Sequence, residues 1–272
     1  MRFMGIDLAW GKGSKNKKAN ESGVVLLGSN GDIEDAGWAV GISETIDWVK
    51  SHTHEDMLLF VDAPLVVNNE SGQRLCEKQV GQRYGRWKVS ANSTNKHSKS
   101  LAGLQLREEL EKLGWLYSDG CSGPPRSGRY LSECYPYTTI VGVEELGYVD
   151  ERPVYKRKPG KMKNMKMPEF RRYRARQCDK LISRITKELS ATKPPIYLAS
   201  HRETRCLMKE TSPMSAKEYK HREDLLDATL CAWTASLWFH KGKQRCQVLG
   251  CDDPLSEIHR ATIIAPARKG QR

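Results

Sequence analysis

Apolar runs broken by polar turns divide the chain into short strands and longer helices. Residues 1–9 form an apolar run that predicts a strand, with Asp7 near its end. The lysine-rich stretch Gly11–Asn20 reads as a loop. Gly23–Leu27 and Ile33–Val40 predict two further strands, joined by the turn Ser29-Asn30-Gly31-Asp32. Ser43–Val49 has helical spacing, with Ser43 placed to cap its start. Met57–Val61 is wholly apolar, as expected of a central strand covered on both faces, and Asp62 follows at once.

Helical patterns come next over about Gly72–Tyr84 and Ser100–Leu116, separated by the polar linker Asn92–His97. Tyr130–Tyr135 predicts a fifth strand, and Pro136 then opens a helix at its first turn. A long helix is expected over Pro168–Leu189 and another over about Ser215–His240. Short strands near Gln247–Leu249 and Ala261–Ala265 close the chain, which shows no internal repeat.

At 272 residues the chain suits one core with insertions: a basic insertion at about 151–176 and a strand extension over 245–272. Mean hydropathy is −0.64, and no apolar run reaches the roughly 18–20 residues that span a bilayer. The first strand begins without the apolar core of a signal peptide, so a cytoplasmic location and no membrane partner are expected. The eight cysteines contain no Cys-x-x-Cys pair; the nearest two are Cys246 and Cys251. Structural zinc is therefore not indicated, and reduced thiols are expected.

The net charge of +12 is concentrated. Between Arg152 and Arg176 stand eleven Lys/Arg and a single acid, Glu169. Such a segment attracts polyanions by counterion release. Tyr155, Phe170 and Tyr173 are interleaved with the cations, a mixture suited to stacking on unpaired bases. The expected partner is nucleic acid, DNA or RNA, bound through Lys156, Arg157, Lys158, Arg171, Arg172, Arg174, Tyr155 and Tyr173. A solvated basic loop without a partner is the plainer alternative. Oligomeric state is not fixed by the sequence, which allows a homodimer.

Four carboxylates carry the chemistry. Asp7 and Asp62 each close an apolar strand, where an acid is costly unless it is paired or holds a cation. Asp224 and Asp227 lie three apart on one side of a late helix, and Ala228, Cys231, Ala232 and Ala235 let that helix approach closely. Hard carboxylate oxygens suit Mg²⁺ or Mn²⁺, and two such ions roughly 3.5–4 Å apart hydrolyse phosphodiesters. Glu133 is a further candidate, as a fifth ligand, an orienting group or half of a core salt bridge. Asp62 could instead be a helix N-cap or rigidify the turn before Pro64, and Asp227 could form a buried salt bridge to an arginine. His221, one turn before Asp224, could act as a base or touch a phosphate; a plain surface histidine is the commoner case.

Gly5-Ile6-Asp7-Leu8-Ala9-Trp10, Val61-Asp62-Ala63-Pro64-Leu65, Glu133-Cys134-Tyr135-Pro136-Tyr137 and the segment Glu223–Ala235 follow one another in order. Together they resemble a family of predicted nucleases with a ribonuclease H-like fold, long catalogued as a domain of unknown function, over Gly5 to about Ala235. The resemblance implies an α/β fold: a mixed five-stranded sheet with helices on both faces, plus helical and basic insertions. By similarity to Holliday-junction resolvases it implies Asp7, Asp62, Asp224 and Asp227 as ligands of a two-ion Mg²⁺ or Mn²⁺ site. The wider group carries a glutamate on its first helix, which Glu44 matches poorly. The expected activity is divalent-metal-dependent cleavage of structured or branched nucleic acid. A catalytically silent nucleic-acid-binding module and an actin-like ATPase or sugar kinase are the competing expectations. The last would need two lobes and a glycine-rich nucleotide loop, neither of which is legible here.

Overall fold

The computed structural model describes residues 1–9, 19–255 and 259–271. Except for Ala19 and Asn20, the expected lysine-rich loop lies outside the described residues. β1 (Arg2–Asp7), β2 (Glu21–Leu27) and β3 (Ile33–Val40) form an antiparallel meander. β4 (Met57–Val61) joins β1 in parallel, followed by β6 (Arg129–Glu133) and the edge strand β5 (Leu116–Tyr117). The sheet thus has six strands in the order β3-β2-β1-β4-β6-β5, one more than expected. β5 is two residues long, too short for a period-two pattern, and its residues read as the tail of a helix.

Seven helices are described: α1 (Gly41–Ser51), α2 (Leu75–Tyr84), α3 (Ala102–Lys112), α4 (Pro136–Gly142), α5 (Met167–Glu188), α6 (Arg202–Lys209) and α7 (Ala216–Lys241). Pro136 occupies the first turn of α4, and the Ser215 hydroxyl caps α7 by accepting from Glu218 N. α1 begins two residues earlier than Ser43; Val40 is its cap, and the Glu44 carboxylate accepts from Val40 N at 2.7 Å. Capping thus occupies the first-helix glutamate. α6 had no legible signal, because only Thr204 and Leu207 of its eight residues are buried.

Strand alternation sorts the core into two layers. Phe3, Val25, Leu58 and Phe60 pack on α2, α4, α5 and α7, whereas Met4, Ile6, Leu59 and Val61 pack on α1 and α3. α7 is buried continuously from Arg222 to Trp238, the mark of a central helix. Two glycines let it lie directly on the sheet. A Cβ on Gly5 would meet Ala228 O at 2.0 Å, and one on Gly23 would meet Asp224 O at 2.1 Å.

β7 (Cys246–Leu249) and β8 (Ile263–Pro266) pair as a separate antiparallel hairpin, with Ile264 bridging to Cys134. The expectation of wholly reduced thiols does not hold, because Cys121 is bonded to Cys251. The partners are 130 residues apart in sequence, and spacing alone gives no sign of the pairing. Cys76, Cys134, Cys178 and Cys231 are buried thiols, and Cys206 is a half-buried one. No helix among the described residues is long and apolar enough to cross a membrane.

Candidate metal centre

The parallel register sets Ile6 opposite Val61, so Asp7 and Asp62 leave adjacent strands at the same level. Asp62 N donates to Ile6 O at 2.8 Å and extends this pairing by one residue. Both acids share the parity of Phe3 and Phe60 and therefore face α7. The close approach at Gly5 and Gly23 carries Asp224 and Asp227 over the strand ends. Carboxylate oxygens of Asp7, Asp62 and Asp227 lie within 4.8 Å of one another. Asp224, one turn earlier on α7, stands beside Asp7 at the edge of this triad.

Two lysines meet these acids. Lys156 Nζ forms an ion pair with Asp227 Oδ2 and lies 3.8 Å from Asp62 Oδ2. Lys220 Nζ pairs with Asp224 and lies 3.8 Å from Asp7 Oδ2 and 3.3 Å from Glu223. The Tyr155 hydroxyl donates to Asp227 Oδ1 at 2.7 Å. Asp7 Oδ2 is buried without a hydrogen-bond partner among the described residues, and Asp227 Oδ2 has the lysine ion pair but no directed hydrogen bond.

Electrostatics follow from this crowding. Burial pushes the Asp227 carboxyl up to about 7, with Lys156 opposing and Asp7 reinforcing the shift. Burial likewise raises Asp62 well above the ordinary range, against Lys156 and with Asp7 and Asp227. Asp224 is raised by burial and by Asp7, with Lys220 opposing. Burial disfavours the charged form of Lys156, but Asp227, Asp62 and Asp7 overcome it and hold the ammonium protonated. Five carboxylates and two ammonium groups thus crowd one cleft, where burial favours the neutral form of Asp62, Asp224 and Asp227 until a cation offsets it.

Glu133 is not part of this cluster. It shares the parity of Leu131, so it turns to the face that holds α1 and α3. Arg74 grips both of its oxygens at 2.6 and 2.7 Å, and Leu65 N donates to it at 3.1 Å. Of its open alternatives, Glu133 takes the core salt bridge, which also pins the loop after Asp62. His221 is likewise engaged: its ring stacks on Trp38 at 3.5 Å and its Nδ1 lies 2.8 Å from Glu21.

The basic segment divides into two groups. Tyr155 is fully buried and cannot stack on a base, and Lys156 turns inward to the carboxylate cluster. Lys158 donates to Lys163 O and Met165 O, closing its own loop. The Arg174 guanidinium lies over the Tyr219 ring at 3.6 Å, and Tyr173 is half-buried. Arg157, Arg171 and Arg172 are exposed. Lys220 was missed, although its position four residues before Asp224 on a helix is a readable ion-pair signal. No local pattern places Tyr155 or Lys156 at Asp227, because that contact spans more than seventy residues.

The donor set suits a hard divalent cation. It offers three convergent carboxylates, with a buried Asp7 oxygen that has no hydrogen bond, and among the described residues no sulfur or imidazole joins them.

Over residues 5–250 the chain matches the model of the family described as "Protein of unknown function (DUF429)". The chain belongs to that family. No curated protein and no solved structure matches it at a significant level.

Proposed function

We propose that this protein is a divalent-metal-dependent nuclease of ribonuclease H-like fold, hydrolysing phosphodiester bonds in structured or branched nucleic acid. The observation that carries the proposal is the convergence of Asp7, Asp62 and Asp227 from two strand ends and a helix, with a buried Asp7 oxygen that has no hydrogen bond. Support for the fold comes from the strand order β3-β2-β1-β4, antiparallel then parallel, with α7 lying across β1 and β2.

Asp7, Asp62 and Asp227 would hold Mg²⁺ or Mn²⁺, with Asp224 at the margin. The ion supplies charge to activate water and to stabilise the leaving oxygen. Tyr155 fixes the plane of the Asp227 carboxylate, and the Arg74–Glu133 pair steadies the turn that presents Asp62. Arg157, Arg171 and Arg172 offer exposed charge for capture of the polyanion.

One feature favours the alternative of a catalytically silent nucleic-acid-binding module: Lys156 and Lys220 already supply cations to the acids. A cleavage assay over duplexes, flaps, junctions and single strands, with Mg²⁺ or Mn²⁺, separates the two. The nuclease reading expects ion-dependent cleavage that Asp7→Asn abolishes. Absence of cleavage together with absence of ion binding at millimolar levels would favour the silent module.

A further inference from the structure

We propose that Lys156 is a built-in cation standing where a second divalent ion would stand, so that the carboxylate site loads a single Mg²⁺ or Mn²⁺ per chain. The inference rests on the divalent-site reading above and narrows it.

The two lysines at the site differ in how firmly they are held. Lys220 projects from α7 with its side chain 59% exposed, so its ammonium can turn out to water when an ion arrives. Lys156 has a side chain only 17% exposed, and its ammonium bridges Asp227 and Asp62 as a shared metal ion would. Its Nζ lies 5.3 Å from the Tyr137 ring centre and 5.7 Å from that of Tyr155. Those two rings pack edge to face at 5.3 Å.

The neighbouring residue is anchored at both ends. The Tyr155 hydroxyl donates to Asp227 Oδ1, while its carbonyl accepts from the Tyr219 hydroxyl at 2.5 Å. Withdrawing the Lys156 ammonium would leave half-buried Asp62 without this cation and buried Asp227 with only the Tyr155 hydroxyl, which is unfavourable.

Both oxygens of Asp227 are thus engaged, one by Tyr155 and the other by Lys156. A second ion would have to compete with this ammonium for Asp62 and Asp227, whose remaining lone pairs stay available to the first. A retained ammonium beside that ion would also repel it strongly in a poorly solvated cleft. Asp7 Oδ2, which has no hydrogen bond and only the distant ion pair of Lys220, a lysine that can yield, marks the position left for the single ion. Lys156 then supplies fixed positive charge toward a bound phosphodiester in place of the missing ion. On this proposal the site would take one ion and one lysine in place of the two ions expected from the sequence.

Mn²⁺ titration of the intact chain, followed by calorimetry and by the electron paramagnetic resonance signal of the ion, tests this without reference to activity. The wild type should saturate at one Mn²⁺ per chain with the spectrum of an isolated ion. Lys156→Met, shown to be folded by its circular dichroism melt, should take up a second ion and give the exchange-coupled spectrum of a pair roughly 3.5–4 Å apart. Lys220→Met should remain at one. Two coupled ions in the wild type would overturn the proposal, and that measurement needs no variant to fold. A folded Lys156→Met that still binds only one ion would also overturn it. No Mn²⁺ binding by the wild type would instead defeat the divalent-site reading itself, a distinguishable result.

Discussion

Burial and charge pull Asp227 in opposite directions, and burial prevails. An aspartate in an unfolded chain titrates near 3.9, whereas burial moves Asp227 to about 7 despite the ammonium of Lys156. The ion-free folded protein therefore keeps a proton that the unfolded chain releases. The stability this proton carries is fully present below about pH 4 and is lost as pH rises through about 7. With a chelator present, the melting temperature should fall between about pH 5 and pH 8, and Asp227→Asn should flatten that trend. Mn²⁺, which needs the ionised oxygen, should raise the melting temperature more at the upper end of this range. An equal Mn²⁺ increment at both ends would show that Asp227 is not titrating at the ion site. At this scale Asp7 and Asp62 were legible, because an acid at the end of an apolar strand demands a partner. Lys156 was not, since its neighbours are acids brought near only by the finished fold.

At the scale of elements, the site depends on how closely α7 lies on the sheet. The run of small residues after Asp227 announced a close approach, but the two strand glycines that complete it became informative only with the register known. Gly5→Ala sets a methyl 2.0 Å from Ala228 O and 2.3 Å from Ala232 N, both of them backbone atoms that cannot turn aside. α7 must then move outward. The expected cost is about 1–3 kcal/mol or more in a urea titration, together with weakened Mn²⁺ binding, because Asp224 and Asp227 ride on the same helix. Unchanged stability and ion affinity would mean that this close approach is not what sets the position of α7. Strands and helices with several turns were readable from periodicity. β5 and α6 were not, since a two-residue strand and a short helix with only two buried positions carry too little pattern.

Over the whole molecule, the basic segment is best understood as two devices in one stretch. Part of it turns inward, with Tyr155 and Lys156 completing the carboxylate cluster and Lys158 and Arg174 holding their own surroundings together. Net charge could not show this division, because it depends on which residues the core claims. Substituting Arg157, Arg171 and Arg172 by alanine should lower the log–log salt slope of nucleic-acid binding by about 0.7–0.9 for each phosphate that is no longer neutralised. Lys158→Ala and Arg174→Ala should instead lower stability and leave that slope nearly unchanged. A slope unaffected by removal of the three exposed arginines would show that the polyanion is held elsewhere.

The claim on which all of this turns is that the carboxylates hold a divalent cation. Anomalous diffraction from crystals soaked in Mn²⁺ addresses it most directly, since it locates the ion independently of any assumed reaction. A peak bonded to oxygens of Asp7 and its neighbouring aspartates is expected, with no such peak in Asp7→Asn. Saturating Mn²⁺ with no peak at these carboxylates, or with ions only on the outer surface, would contradict it.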